Sequence, residues 1–313
     1  MSSIFGKLVL ESPHLKSTVK LPVFLYGTAW KKEATTELVY QALSNGFTAV
    51  DTAAQPKHYR EDLVAAGVSK AIKEGKVRRA DLYLQTKFTS IHGQDPDRLP
   101  YDPQSPVPDQ VNASVISSLN NFDFGATLGE DDTVGPYIDT LVLHSPMPTI
   151  AETLEVWHTL EQYVPREIHN LGISNCNLFT LMDLHERANI KPAVVQNRFY
   201  ADTKFDIGVR KFCQEKGIIY QAFWTLSANP GLTRSPEVQQ LANKLGVSPQ
   251  AALYCLVLGL ENVVILNGTT SLVNMRDDWE AIGKAEAYAE ANPASWNEVN
   301  TAFRRRIGQV TGG

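Results

Sequence analysis

Apolar residues along this chain fall into short β-branched runs separated by longer stretches in which they recur every three or four positions. The runs are "LPVFLYGTA" (21–29), "FTAVD" (47–51), "LYLQTK" (82–87), "YIDTLVLH" (137–144), "IHNLGIS" (168–174), "AVVQN" (193–197), "IIYQAF" (218–223) and "VVILN" (263–267). Between them lie helical patterns at 34–45, 59–75, 107–122, 150–164, 177–189, 205–217, 235–246 and 248–259, and a last helix is expected from about Leu272. Several open on Thr, Ser or Asn suited to an N-cap, and Asn45, Gly217 and Gly246 stand where three of them close. Runs nearly continuous in Val, Ile and Leu, each followed by a helix, predict parallel strands covered by helices.

Eight such units over roughly 260 residues match a closed (β/α)₈ TIM barrel in count and size, taken as one domain over residues 1–313. The competing architecture, an open doubly wound sheet, usually carries a glycine-rich phosphate loop after its first strand. Neither GxGxxG nor GxxxxGK[ST] occurs in the sequence, which favours the barrel. Two segments stand outside the repeat. "IFGKLVLES" and "LKSTVKLP" predict an N-terminal β-hairpin placed to close the barrel floor, and the proline-rich stretch 91–108 follows the third strand, where a barrel builds its substrate wall.

Composition narrows the class of protein without changing the fold. With 313 residues, 43% hydrophobic and 20% charged, the chain can bury a large core. A net charge of −5 with dispersed lysines and arginines argues against nucleic acid or an anionic membrane as partner. No segment has signal-peptide character or approaches the roughly 18 apolar residues of a membrane helix, so a cytoplasmic location is expected. Cys176, Cys213 and Cys255 are too scattered for a zinc or redox motif and are expected as buried thiols; no metal site is expected. The sequon at Asn112 lies in a helical pattern and is not expected to carry a glycan.

A barrel displays its chemistry at the C-terminal ends of its strands. Here those ends carry Asp51, Lys87, His144, Ser174 with Asn175, Gln196 with Asn197, and Phe223 with Trp224. Lys87 alone reads as a solvated strand end, and His144 alone as a satisfied histidine. An acid, a lysine and a histidine on three adjacent strands are different: unpaired charges in a barrel mouth cost several kcal/mol each, so these groups need one another or a ligand.

The set of motifs resembles the aldo-keto reductase superfamily over nearly the whole chain. The carrying residues are "GTAW" (27–30), "DTA" (51–53) with Tyr59 after it, "LQTK" ending at Lys87, "YIDTLVLHSP" around His144, "LGISN" (171–175), "VVQNRFY" (194–200) and "GTTSLVNMRDD" (268–278). The resemblance implies a catalytic tetrad of Asp51, Tyr59, Lys87 and His144. Tyr59 would give a proton to the oxygen of a carbonyl that receives a hydride. Lys87 would lower the phenol's ordinary pKa of about 10, Asp51 would hold the lysine, and His144 would orient the carbonyl. One departure falls here: the family's spacing from aspartate to tyrosine is five residues, whereas Asp51 and Tyr59 are eight apart, so "AAQPKH" must fold back. If it does not, Tyr59 packs on its own helix, and His58 is either a substitute donor or a rim residue.

The resemblance further implies NADPH, or NADH, extended across the barrel mouth. Gly27, Thr28 and Asp51 would lie along it, Ser174, Asn175 and Gln196 would hold the carboxamide, Phe223 would stack under the nicotinamide, and Trp224, Thr225 and Leu226 would follow the pyrophosphate. At the adenosine end, Gly268, Thr269 and Asn274 occupy places where the family keeps a lysine, a serine and an arginine, so both cations are missing. Thr269 and Thr270 offer hydroxyls, Arg276 a cation within reach, and Asp277 and Asp278 stand where adenine is met. Trp30, Tyr59, His144 and Trp224 are the expected substrate contacts, with Tyr101 as a further aromatic.

The expectation is therefore a monomeric reductase acting on a small-molecule carbonyl substrate. A non-catalytic dinucleotide-binding redox sensor or regulatory subunit of the same fold stands against it, kept open by the longer loop and the thinned phosphate site. A Schiff-base lyase with Lys87 as nucleophile is a third possibility, but it leaves Ser174, Asn175 and Gln196 without a role.

Overall fold

The computed structural model of the chain describes residues 4–6, 8–12, 17–125 and 135–309. Two antiparallel strands, β1 (Val9–Ser12) and β2 (Ser17–Lys20), precede eight parallel strands that close on themselves. These are β3 (Phe24–Gly27), β4 (Ala49–Asp51), β5 (Tyr83–Phe88), β6 (Ile138–Leu143), β7 (Ile168–Ser174), β8 (Val194–Arg198), β9 (Ile219–Phe223) and β10 (Val263–Asn267). Each lies beside its sequence neighbours, and β10 seals against β3. The architecture is the (β/α)₈ barrel with an N-terminal hairpin. Every run expected as a strand is one, because strands buried on both faces are written as unbroken apolar stretches.

The helices between the strands are α1 (Thr35–Ser44), α2 (Glu61–Lys73), α3 (Val107–Asn121), α4 (Ile150–Glu161), α5 (Leu178–Arg187) and α6 (Ile207–Lys216). After β9 come α7 (Pro230–Thr233), α8 (Pro236–Leu245) and α9 (Pro249–Leu258), and after β10 come α10 (Leu272–Ala291) and α11 (Pro293–Arg306). Thr149 and Glu152 form a reciprocal capping box on α4, while Asn177, Ser248 and Ser271 cap α5, α9 and α10 through their side chains. Gly217 (φ 69°) and Gly246 (φ 63°) end α6 and α8 in the left-handed region, as their positions suggested, while Asn45 ends α1 at φ −115°. The single helix expected from Leu272 is two. Asn292, at φ −135° and ψ 57°, breaks it because Pro293 has no amide hydrogen and disfavours helical backbone in the residue before it.

The barrel interior is layered by the two-residue period of its strands. Leu25, Ala49, Tyr83, Val142, Val194, Ile219 and Val264 form an apolar floor, onto which Leu8, Leu10 and Leu21 of the hairpin region pack. The hairpin thus closes the floor as expected, although residues 7 and 13–16 of it lie outside the described residues. Two positions above Ala49, Tyr83, Val194 and Ile219 stand Asp51, Gln85, Gln196 and Gln221, all buried. Polarity therefore begins one layer below the mouth. Beside it, Gly172 lets β7 approach β8 closely, since a Cβ there would lie 2.3 Å from Val194 Cγ2.

Candidate active site

Asp51 ends β4 at the centre of the buried polar layer. Its Oδ2 accepts from Lys87 Nζ at 2.6 Å, and its Oδ1 from Gln85 Nε2 (2.6 Å) and Gln196 Nε2 (2.9 Å). Gln221 ties the two glutamines together, accepting from Gln85 at 2.8 Å and Gln196 at 2.9 Å. Lys87, two residues beyond Gln85 and so on the same face of β5, also donates to the Thr52 carbonyl at 2.7 Å. Its side chain has no exposed surface. Burial draws its pKa down, opposed by the charges of Asp51 and of Glu61, which is buried between β5 and α3 against Thr86 and Ser118. An amine so enclosed and so committed is not available as a Schiff-base nucleophile.

The longer segment between Asp51 and Tyr59 folds back as a compact turn. Thr52 and Ala54 extend the β4–β5 ladder through the Gln85 and Lys87 carbonyls, and the amides of His58 and Tyr59 both close on the Gln55 carbonyl. Side chains sew this turn to the loop after β5: Gln55 Nε2 donates to Gly93 O (2.5 Å), and Gln94 Nε2 to Ala54 O (2.8 Å). The outcome is a Tyr59 ring facing inward, with Lys87 Nζ 5.1 Å from its centroid and the His144 ring edge-on at 5.9 Å. The phenol's pKa is raised, not lowered as the resemblance implied. Burial is the larger cause and the Asp51 charge the second; Lys87 itself is paired with that carboxylate at 2.6 Å.

His144 follows β6, with its Nδ1 2.7 Å from Thr89 Oγ1. Burial first, then the positive charges of Lys87, His58 and Arg198, lowers its pKa to about 3, so the ring is neutral near pH 7. His58 stacks on Trp30 with ring centroids 3.7 Å apart and accepts the Trp30 amide through its carbonyl, which makes it part of the rim. Its buried Nδ1 has no partner among the described residues, and burial lowers its pKa. Trp30 and Trp224, 65% and 50% exposed, stand at the mouth in left-handed backbone conformations (φ 65° and 60°), costly for residues of that size.

Above these groups opens a cavity of about 1010 Å³ at the C-terminal ends of the strands. Its wall brings together Gly27, Asp51, Tyr59, His144, Ser174, Asn175, Gln196, Phe223, Trp224, Thr225, Leu226, Gly268, Thr269, Asn274, Asp277, Asp278 and Trp30. Lys87 lies beneath the wall. Two expected cofactor contacts are not on it: Thr28 is buried with its hydroxyl on the Asp51 carbonyl (2.9 Å), and Thr270 is exposed outside it. Tyr101 is absent from it too, packed on Phe88 with its hydroxyl on Thr89 O (2.7 Å), so of the proline-rich stretch Gly93 reaches the cavity. Arg276 turns away to Asn45 Oδ1 (2.9 Å).

The wall also holds residues that the sequence reading passed over: Gln55, Thr89, Arg198, and Ser248, Gln250 and Tyr254 of α9 and its cap. Arg198 had a signal, standing two residues after Gln196 on the same face of its strand. Gln85 and Gln221 had one as well, being amides in the middle of strands whose runs predict burial on both faces. Lys31, buried after β3, donates to Gly268 O at 2.9 Å, and burial lowers its pKa to about 8.

A dinucleotide finds matching groups along this wall. The Thr225 hydroxyl is buried without a protein partner among the described residues, on a residue that lines the cavity together with Phe223, Ser174 and Asn175. At the other end Asp278, held by Asn267 Nδ2 (2.7 Å), has its pKa raised to about 6 by burial and then by Asp277. Among the described residues no helix is long and apolar enough to cross a membrane, and no cluster of His, Cys, Asp and Glu could hold a metal ion.

Residues 24–303 match the model of the aldo/keto reductase family. The chain is 26% identical over 284 residues to the NAD(P)H-dependent D-xylose reductase of Scheffersomyces stipitis, covering 78% of this chain and 80% of that protein. It is 28% identical over 222 residues to the NAD/NADP-dependent indole-3-acetaldehyde reductase of Schizosaccharomyces pombe, covering 66% of each. Among solved structures, a Bombyx mori aldo-keto reductase in complex with NADP superposes with a TM-score of 0.66 at 20% identity, over 89% of this chain and 92% of that one. An aldo/keto reductase from Brucella melitensis gives 0.65 at 19% identity, over 91% and 100%.

Proposed function

The chain belongs to the aldo/keto reductase family, and on that premise we propose that it is an NAD(P)H-dependent reductase of aldehydes or ketones with Tyr59 as proton donor. The observation that carries this reading is the inward Tyr59 ring over the Lys87 ammonium and against His144, at the bottom of a cavity large enough for a dinucleotide and a small substrate. When bound, the reduced nicotinamide supplies the hydride that the carbonyl carbon accepts. Ser174, Asn175 and Gln196 would hold its carboxamide, Phe223 would meet its ring, and the 224–226 segment with Thr225 would follow the pyrophosphate.

The protein's own task is to handle the oxygen. A phenol held above its ordinary pKa is fully protonated near neutrality and so is loaded for donation. As the carbonyl oxygen gains charge it takes the Tyr59 proton, and the alcohol forms. The phenolate left behind is stabilised by the Lys87 ammonium, which Asp51 and the Thr52 carbonyl fix beside the ring. His144 stays neutral, and in the tautomer in which the Thr89 hydroxyl donates to Nδ1 its Nε2 carries the hydrogen that is given to the same oxygen. Asp51 thus acts through Lys87, whereas Tyr59 and His144 touch the reacting group.

The test follows the absorbance of NADPH or NADH with a panel of aliphatic and aromatic aldehydes and diketones. Turnover is expected, and Tyr59→Phe should lower kcat by roughly 10²–10⁴-fold while NADPH still binds. Full activity in Tyr59→Phe would remove the proton donor. Tight cofactor binding with no turnover on any carbonyl would replace the enzyme with a dinucleotide-binding sensor of the same fold.

A further inference from the structure

We propose that Arg198 is a receptor for an oxyanion on the substrate, so that the preferred carbonyl compounds carry a carboxylate; this rests on the reductase reading above. Arg198 ends β8, across the closed barrel from β4, so its side chain faces the Tyr59 side of the cavity from the opposite wall. Nη1 donates to Asn175 Oδ1 at 2.7 Å, and the guanidinium carbon Cζ lies 4.7 Å from the Trp224 centroid and 5.3 Å from that of Phe223. A ring face is not a conventional hydrogen-bond acceptor, so these contacts leave the remaining guanidinium N–H groups without an oxygen partner. No other acceptor among the described residues takes a hydrogen bond from Arg198, and no carboxylate pairs with it.

The neighbouring charges make the vacancy more pointed. Lys87 is matched by Asp51, and His144 is neutral near pH 7, so Arg198 is the uncompensated cation at the reacting end of the cavity among the described residues. Asn175, which accepts from Arg198, donates to the His144 carbonyl oxygen at 2.9 Å, which puts the arginine on the His144 side of the cavity. A half-buried guanidinium with an open fork is matched by a planar carboxylate, which accepts two parallel hydrogen bonds. The other oxyanion that could reach it is the cofactor's own pyrophosphate, because Trp224 begins the segment assigned to it.

The experiment pairs charged and neutral carbonyls of equal size: 4-carboxybenzaldehyde with methyl 4-formylbenzoate, and succinic semialdehyde with butanal. In the wild type, kcat/KM is expected to favour the carboxylate by roughly tenfold or more in at least one pair, mostly through KM, and the preference should fade with added salt. Arg198→Gln should abolish that ratio, and Arg198→Lys should keep part of it. Binding is read independently of turnover by tryptophan fluorescence, titrating the NADP⁺-loaded protein with benzoate and with benzamide. A ratio near one in the wild type, or one unchanged by Arg198→Gln, overturns the proposal. So does equal binding of benzoate and benzamide. Weaker NADPH binding in Arg198→Gln, with charged and neutral substrates losing equally, assigns the arginine to the cofactor phosphate instead. Absence of turnover on every carbonyl, charged and neutral, refutes the reductase reading alone, and the benzoate titration still decides the anion site.

Discussion

Replacing Asp51 by Asn isolates the buried ion pair on which the rest of the site is built. At an effective dielectric of about 20, unit charges 2.6 Å apart attract by roughly 6 kcal/mol, and Lys87 would forfeit this. The lysine has a less costly escape, which is to shed its proton. Relative to an unfolded chain with a lysine pKa of about 10.4, that costs about 1.4 kcal/mol per pH unit, hence about 5 kcal/mol at pH 7 and about 2 at pH 9. Deprotonation therefore wins, and the asparagine amide suits it, because its Oδ1 can still accept from Gln85 and Gln196 while its Nδ2 donates to the neutral amine. The nearby Glu61 charge trims the loss. Asp51→Asn is expected to lose about 3–5 kcal/mol at pH 7, and the deficit against wild type should shrink by about 3 kcal/mol at pH 9. Urea unfolding of both proteins at pH 7, 8 and 9 measures it. The double variant Asp51→Asn/Lys87→Met removes the lysine whose titration drives the effect, so its deficit should be the same at the three pH values and smaller than the sum of the two single losses. A deficit for Asp51→Asn that is equal at pH 7 and pH 9, or strict additivity in the double variant, would refute the reasoning.

His144 gives a signature of opposite sign. Its folded pKa of about 3 lies below the ordinary value of about 6.5, so on acidification the unfolded chain takes up a proton that the folded chain refuses. The stability it confers is complete above about pH 6.5 and lost toward pH 3, about 2 kcal/mol of it between pH 7 and pH 5. Asp278, raised to about 6, drifts the other way over the same range, so the measurement is the difference between wild type and His144→Asn; parallel urea-stability curves would contradict the assignment. Around Asn274, where the resemblance puts the adenosine, Arg276 is engaged with Asn45, Asp277 and Asp278 line the wall, and no lysine or arginine among the described residues lines it there. Asn274→Arg should shift the ratio of NADPH to NADH affinity toward NADPH by roughly tenfold, and equal changes for both cofactors in fluorescence titrations would show that the phosphate lies elsewhere.

The sequence by itself determined the barrel. A parallel strand buried on both faces must be written in apolar residues, and the polar residue that stops each run marks the mouth; Asp51, Lys87 and His144 could be read as neighbours on that account alone. Local chemistry also carried the glycine ends of α6 and α8 and the hairpin beneath the floor, since these depend on residues adjacent in the chain. Tertiary structure alone decided where Tyr59 points, because its direction is set by hydrogen bonds from Gln55 and Gln94 across to another loop. It decided that Tyr101 packs inward, that Arg276 faces Asn45, and that burial, then the Asp51 charge, raises the phenol's pKa. It also joined Gln85, Gln196 and Gln221 beneath the site, residues on separate strands whose amides meet only once the barrel has closed. Periodicity records which face of an element is buried, whereas the charge and hydrogen-bond state of a side chain depends on what the rest of the chain brings to it.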